Sequence, residues 1–364
     1  VTELTRTAKA MKAEADQKYL ESEAIPVPDV SAFATAYNEA LTANRELLDR
    51  IGPILRIDQF LEKKPVPAKE GETIMWQRAV VPSTVIAQVT EGVNPAGRQL
   101  QYETVSKTLE EYAESYACSS RADELGQTDI VKDMADVLSD LVALTRETIG
   151  WNGVKACSNI IYNASTITTL NTVNGAISGS RLDVALRFLD GNKAKYFREA
   201  TKGALEENTS PVEAAYVCLC HTDCEADIRL LPGFRPAPEV GGGGKGPDGW
   251  FGNWRKVAFV TSPEFKPDLA AGAAIGSTGM KSVAGVNIDV YSYVLFGKKA
   301  FGRVGLKGMG KAGFGGVKAY TIKGADHADL TGQRVASSVR WYDGLVELQS
   351  AHAINIKCGV TANP

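Results

Sequence analysis

The feature that most limits how this chain can fold is a pair of long strand-like segments separated by an irregular tip. Residues 73–81 and 102–119 alternate apolar and polar side chains, as half-buried strands do. The tip between them, residues 82–100, has no period and contains Pro82, Gly92, Pro95 and Gly97. Two strands alone are marginally stable in water because neither face of the ribbon is covered. The sequence therefore predicts an extended hairpin that needs a neighbouring molecule.

A long amphipathic helix is predicted for Thr128–Trp151. Thr128 is the expected N-cap, and Asp129 and Asp133 lie near the positive end of the helix dipole. The helix is long for a globular protein and suits the role of a spine. Apolar or methyl-bearing side chains recur at helical spacing and predict its buried face: Ile130, Met134, Val137, Leu138, Leu141, Val142, Thr145 and Ile149.

The remaining elements are shorter and place the chain in the α+β class, with substantial antiparallel sheet. The continuous apolar run Ala214–Cys220 predicts a strand buried on both faces. Asp343 and Gly344 form a favoured hairpin-turn pair between two predicted strands, Arg334–Tyr342 and Leu345–Ile356. The other predicted elements are helices at Arg181–Leu189 and Asp223–Leu231, and strands at Lys256–Val260 and Val286–Phe296.

Residues 1–50 are polar, which favours an arm over a folded domain. The stretch Arg6–Leu20 is rich in Ala, Lys and Glu, which predicts a helix that folds only when a partner supplies a surface. The stretch Ser31–Ile51 has a thin apolar stripe at helical spacing, formed by Phe33, Tyr37, Leu41, Leu47, Leu48 and Ile51. Because the chain starts at Val1, both removal of Met and cleavage of a longer leader stay open.

Length and charge narrow the function classes. The chain has 364 residues, which predicts two or three domains. Its net charge is −3 and it has no dense Lys/Arg patch, so tight binding through nucleic-acid phosphates is not expected. No run of apolar residues is long enough to predict a membrane span. The six cysteines are few for this length and fit free thiols in a reducing cytoplasm.

The motifs that suggest chemistry are weak. Cys218, Cys220, His221 and Cys224 are possible zinc ligands, but no second ligand pair follows, and cysteine is also a common buried apolar residue. The glycine-rich segments lack the strand, Gly-Lys-Ser/Thr and helix order of a phosphate-binding loop. A serine hydrolase would need one of the three histidines as its base, and no serine of the sequence lies in a Gly-x-Ser-x-Gly elbow. We therefore expect no catalytic, cofactor-binding or metal-ligating residue, and no enzyme.

Aromatic and charged side chains of the hairpin and its lead-in are the candidate contacts with a neighbouring subunit. The aromatic side chains fit either a local core or an interface. Aromatic side chains are typical interface anchors, and a hairpin cannot shield all of them itself, which favours the interface interpretation. The predicted interface residues are Phe60, Trp76, Arg78, Glu91, Arg98, Tyr102, Tyr112 and Tyr116.

The segment Thr90–Gly97 resembles the hairpin tip of tailed-bacteriophage major capsid proteins, in the family typified by the coliphage named N-four. Further resemblances follow the same order along residues 55–358. They are Lys63–Pro67 with Gly71–Ile74, Glu111-Tyr112 with Ala122–Leu125, Cys220–Asp223 with Asp227–Arg229, Phe296–Gly302, and Gly332–Arg334 with Val339–Tyr342.

The resemblance implies the Hong Kong 97-type capsid fold. Its implied parts are an N-terminal arm (1–70), an extended β-hairpin loop (71–121), a peripheral domain with the spine helix (122–180), an axial domain (181–330), and C-terminal strands that return to the peripheral domain (331–364).

The resemblance also implies assembly instead of catalysis. Copies would form pentamers and hexamers of an icosahedral phage head, which encloses double-stranded DNA without sequence-specific binding. The expected partners are further copies, a portal, and scaffolding or decoration proteins. The expected location is the virion, after assembly in the host bacterial cytoplasm. Two alternatives stay open: an encapsulin-type nanocompartment shell, and a metal-dependent enzyme that uses the Cys218–Cys224 cluster.

Overall fold

The computed structural model of this chain describes two larger sheets, a hairpin and several helices. The described residues are 56–67, 71–80, 99–125, 130–197, 214–237, 247–276, 278–307, 316–325 and 330–362, with residues 88, 91, 92 and 97. The predicted N-cap Thr128 and the N-terminal stretches lie outside them.

Strands outnumber helices among the described elements. In chain order these are β1 (Glu62–Val66), β2 (Thr73–Ala79), β3 (Tyr102–Thr108), β4 (Glu110–Ser119), α1 (Ser120–Leu125), α2 (Ile130–Lys155), β5 (Ile160–Tyr162), α3 (Gly179–Gly191), β6 (Tyr216–His221), α4 (Glu225–Arg229), β7 (Phe234–Pro236), β8 (Trp250–Trp254), β9 (Val257–Ser262), β10 (Tyr291–Phe296), β11 (Phe301–Leu306), β12 (Lys318–Ile322), β13 (Arg334–Glu347) and β14 (Ala353–Cys358). Short 3-10 turns cover Ile57–Gln59, Leu170–Thr172, Thr222–Cys224 and Ser350–His352.

The larger sheet has seven strands in the order β5-β14-β10-β6-β9-β8-β7. Cys218 and Cys220 of β6 face one side, which α3 covers with Leu182 and Leu189. The alternate β6 residues face the other side, where they meet Trp151 of α2. Because helices cover both faces, β6 is apolar without alternation, as predicted.

The second sheet is organised around β13. Its first ten residues, Arg334–Asp343, pair with β4, and Gly344–Glu347 pair with β11. Strand β12 lies on the other side of β13, and β1 extends the sheet beyond β11 in parallel. The inner face of this sheet packs against Leu138 and Val142 of α2. Helix α2 therefore contributes to the cores of both sheets.

Two sequence predictions about strands are wrong. The Asp343-Gly344 pair makes no turn, because β13 continues through it from Arg334 to Glu347. The Asp343 carboxylate is buried in an ion pair, and Gly344 provides room for the side chain of Lys107. The predicted strand 102–119 is broken at Leu109, and only its first part, β3, pairs with β2.

The predicted helix is confirmed as α2, and its predicted core residues Leu138 and Val142 are buried. Ala135, Leu138, Val142 and Ala143 face the core, together with Arg146 and Glu147. Val137, a predicted core residue, is exposed. The buried face of α2 can include Arg146 and Glu147 because both residues are hydrogen-bonded to neighbouring segments of the chain. The described residues include no helix long and apolar enough to cross a membrane.

Candidate subunit interface

The predicted hairpin is a two-stranded sheet of its own. Strands β2 and β3 pair in antiparallel register from Thr73 opposite Thr108 to Ala79 opposite Tyr102. The ribbon continues one step further, where the Val80 amide donates to the Gln101 carbonyl at 2.8 Å. Side chains alternate along each strand, so the ribbon has two distinct faces.

The inner face of the hairpin is attached to the body of the protein. Ile74 is buried beside Val66 of β1 and Val304 of β11. Trp76, half-buried, packs against the same cluster, and Lys64 Nζ lies 5.5 Å from the centroid of its ring. Trp76 thus supports the root of the hairpin within its own chain, and only part of its ring faces solvent.

The outer face of the hairpin presents large side chains to solvent. Met75 is 57% exposed and Tyr102 is 63% exposed. Met75 lies between Ile74 and Trp76 on β2 and therefore points to the opposite face of the ribbon. Tyr102 is paired with Ala79, which is four residues from Met75 and shares its face. Met75 and Tyr102 are therefore the candidate contact side chains of this face.

The three predicted charged residues of the hairpin occupy different positions. Arg78 donates from Nε to Glu103 Oε2 at 2.8 Å, directly across the strand pair. Its charge therefore has a partner inside the hairpin. Glu91 is exposed near the tip. Arg98 lies outside the described residues.

The two tyrosines of β4 are not part of the hairpin. Tyr112 stacks on Trp341 of β13 with 5.6 Å between ring centroids, and its hydroxyl donates to Glu110 at 2.7 Å. Burial, and then Glu110, raise the pKa of Tyr112 to about 12. Its interactions are satisfied within the chain. Tyr116 is exposed, so its ring is accessible to another subunit.

Phe60 lies in the core beneath the seven-stranded sheet. It is 8% exposed and makes edge-to-face contacts with Phe197 and Phe296, at centroid distances of 5.7 and 6.5 Å. Its ring has little surface to offer another subunit. The local-core interpretation of this aromatic side chain is therefore the better one.

A buried ionic network lies behind the hairpin root, and the sequence analysis missed it. Arg303 of β11 pairs with Asp343 and places Nη1 3.2 Å from Asp58. Arg146 of α2 accepts from Arg303 Nη2 through its carbonyl at 3.2 Å, and its own Nε lies 3.8 Å from Asp343. Lys63 of β1 also pairs with Asp58. The sequence feature that indicates this network is Asp343, an acidic residue at an inward-facing position of an alternating strand.

The electrostatics of this network keep Asp58 ionised. Burial alone would raise the pKa of Asp58, but Arg303 and Lys63 outweigh burial and lower it. Burial, and then Arg303, lower the pKa of Arg146. Four segments of the chain are joined here by ion pairs that are largely removed from water.

Glu147, next to this network, caps the segment that leads into β1. Its carboxylate accepts the backbone amides of Arg56 at 3.3 Å and Ile57 at 3.4 Å. Burial raises the pKa of Glu147 to about 7, against the lowering effect of these two amides. Glu147 therefore titrates near neutral pH in the folded chain.

The outward face of the β4-β13-β12 sheet has a depression where small side chains lie beside Tyr320 and Arg340. Ser115, Ser338 and Tyr320 share one cross-strand row on the side that points away from α2. With Ala113 and Arg340 they line a depression of about 380 Å³. This surface was not anticipated from the sequence, since small residues on a strand have no distinctive pattern.

The cysteine cluster is part of the core. Cys218, Cys220 and Cys224 are buried and unbridged, and pack against α3 and α4. Burial raises the pKa of the Cys218 and Cys220 thiols well above the ordinary value, and that of Cys224 to about 12. His221 Nδ1 accepts the Asp223 amide at 3.0 Å. Among the described residues, no group of three His, Cys, Asp or Glu side chains has the geometry to hold a metal ion.

The arrangement of two sheets, a long helix and a projecting hairpin is the Hong Kong 97-type capsid fold, with mixed α+β content. The capsid of Ralstonia phage GP4 is similar with a TM-score of 0.58 and 13% identity, over 84% of this chain and 88% of that one. The head structure of Helicobacter pylori bacteriophage KHP40 has a TM-score of 0.54 and 12% identity, over 85% and 91%.

The same fold also occurs outside phage heads. The holo-SrpI encapsulin complex from Synechococcus elongatus PCC 7942 is similar with a TM-score of 0.50 and 14% identity, over 84% of this chain and 88% of that one. No protein-family model and no curated protein matches the sequence.

Proposed function

We propose that this chain is the major capsid protein of a tailed bacteriophage, in the family typified by the coliphage named N-four. Its copies would assemble as pentamers and hexamers into an icosahedral head around double-stranded DNA. The observation that carries the proposal is the hairpin of a capsid-type fold whose outer face is exposed at Met75 and Tyr102. The similarity to the phage capsid and head structures supports the same role.

The proposed mechanism is mutual burial of surface between copies. The outer face of the hairpin would lie on the outward face of the β4-β13-β12 sheet in a neighbouring subunit. Bulky side chains such as Tyr102 suit a depression lined by Ala113 and Ser115. Many equivalent contacts in a closed shell give collective stability that exceeds any one of them.

Each region of the chain would form a different part of the capsid subunit. Residues 1–70 would be the arm, 71–121 the extended loop, 122–180 and 331–364 the peripheral domain, and 181–330 the axial domain. The protein would reside in the virion after assembly in the host cytoplasm, contact a portal and scaffolding or decoration proteins, and catalyse no reaction.

Negative-stain electron microscopy of the expressed full chain, with size-exclusion chromatography, tests the assembly. Closed icosahedral particles or rings of five and six subunits are expected. A monodisperse monomer or dimer at every concentration contradicts the proposal. The particle contents then separate phage head from encapsulin: nuclease-protected DNA in particles from infected cells supports the head, whereas protein cargo without DNA supports the encapsulin shell suggested by the SrpI similarity.

A further inference from the structure

Helix α2 has a second apolar stripe that does not face the sheets. It consists of Ile130, Met134, Val137, Leu141 and Leu144, at the spacing of a single helix face. Val137 is 51% exposed and Leu144 is 38% exposed, while the other three are half-buried.

This stripe lies on the side of α2 opposite its core face. Val137 is two residues from both Ala135 and Ser139, and Leu144 is two residues from Val142. Two residues correspond to about 200° around an α-helix, so exposed and buried positions point in opposite directions. Acidic side chains at Asp133 and Asp140 border the stripe. An amphipathic helix normally has one apolar face, and a second one indicates a further packing partner.

The chain N-terminal to the described residues leaves from beside this same helix. Arg56 and Ile57 are bonded to Glu147 of α2, and Ile57 packs directly against Gly150. Glu147 is three residues from Leu144, which is about 4.5 Å along the helix axis. Residues 52–55 can span about 13 Å when extended, which is enough to reach the stripe from Arg56.

The segment Ser31–Ile51 has the complementary pattern. Its apolar residues from Phe33 to Ile51 recur at helical spacing and, as a helix, would extend about 27 Å. The stripe on α2 from Ile130 to Leu144 extends about 21 Å. Both lengths agree within about one helical turn of 5.4 Å.

We propose that Ser31–Ile51 packs as a helix on the outward stripe of α2 in its own chain. Ile51 would lie near Leu144 and Phe33 near Ile130, so the two helices run in the same direction. This surface is separate from the hairpin contact and does not depend on shell assembly. The long helix would then be enclosed between its sheets and the chain's own N-terminal segment.

Disulfide trapping in the purified full chain tests this packing. Two double variants place thiols at predicted contacts, Leu41→Cys with Val137→Cys, and Leu48→Cys with Leu144→Cys, both in a Cys118→Ser background. Ser115→Cys with Leu41→Cys is the control, because Ser115 is exposed on the sheet face that points away from α2. Chains with heavy isotopes are mixed with ordinary chains so that mass spectrometry separates links within one chain from links between chains.

Rapid links within one chain at the two α2 positions, and slow links at Ser115, are the expected result. Links only between chains would assign the stripe to another copy and overturn the proposal, as would equal rates at α2 and Ser115. A second measurement avoids the cysteine variants. In Leu41→Ser/Leu48→Ser, carbene footprinting of Val137 and Leu144 should rise several-fold, and unchanged labelling would also overturn the proposal.

Discussion

Arg303 of β11 and Asp343 of β13 form a two-point ion pair in the interior of the protein. Arg303 Nε donates to Asp343 Oδ1 at 2.8 Å, and Nη2 donates to Oδ2. Both side chains are buried. The pair is located where β13 changes its partner from β4 to β11. It therefore holds together the strand that connects the two halves of the sheet.

Arg303→Met should destabilise the chain strongly. The change leaves the buried Asp343 without its two-point partner and removes one of the two cations beside the half-buried Asp58. Breaking one side of a buried pair costs about 3–5 kcal/mol. Urea unfolding measures the loss. Arg229→Met is the matched control, because Arg229 pairs with Glu225 on an exposed helix surface. Such surface pairs contribute about 0–1 kcal/mol. Equal losses in both variants would contradict the assigned role of the network.

Glu147 should make the stability of the chain depend on pH. Its pKa is raised from an ordinary 4.5 to about 7 in the folded chain, mainly by burial. The folded state therefore binds this proton more tightly than the unfolded state. The resulting stabilisation is complete below pH 4.5 and is lost as the pH rises through about 7. At about 1.4 kcal/mol per pKa unit, the loss is about 3 kcal/mol.

Glu147→Gln removes this titration and keeps an oxygen acceptor for the Arg56 and Ile57 amides. The variant should gain stability relative to the natural chain as the pH rises from 4.5 to 8, by about 3 kcal/mol in total. Urea unfolding at several pH values measures the difference. The control is Glu114→Gln, at an exposed position of β4. A difference between Glu147→Gln and the natural chain that stays constant with pH would show that Glu147 does not titrate in this range.

Tyr112→Ala should lower the folding stability of the single chain, whether or not the chain is assembled. The ring stacks on Trp341 and the hydroxyl bonds Glu110, so the variant loses contacts inside its own chain. We expect a loss of about 2 kcal/mol, below the range for a fully buried aromatic side chain, because Tyr112 is only half-buried. Thermal unfolding measures it. Tyr112→Phe retains the stacking and should lose less, and a full loss in Tyr112→Phe would assign the effect to the hydroxyl.

Sequence patterns predicted the elements better than their orientations. The strand at β6 and the helices α2 and α3 were found because continuous or periodic apolar residues report burial directly. The apolar periodicity of α2 predicts the buried Leu138 and Val142 but also the exposed Val137, since two apolar stripes compete on this helix. The true core face includes Arg146 and Glu147, which are buried because other segments supply their partners. Such partners are distant in sequence and leave no local pattern.

The interface prediction shows the same limit. Aromatic side chains in and beside the hairpin all give the same interface signal in the sequence, although Phe60 lies in the core and Tyr112 stacks on Trp341. The Asp343-Gly344 pair has a strong local preference for a turn, but the ion pair to Arg303 keeps it extended. Local preference is outweighed wherever tertiary contacts contribute several kcal/mol.

Tyr102→Ser should impair assembly and leave the monomer intact. Its ring is 63% exposed on the outer face of the hairpin, so its removal costs the isolated chain little. In the assembled state the same ring would be buried against the next subunit, and interface hot spots, which are enriched in tyrosine, contribute about 2 kcal/mol or more each. The thermal unfolding of the monomer should therefore be unchanged, while the yield of closed particles falls and their dissociation begins at lower urea. Tyr102→Phe is the matched control, since it retains the ring and should assemble normally. If Tyr102→Ser forms particles of unchanged yield and urea resistance, the outer face of the hairpin is not the contact between subunits.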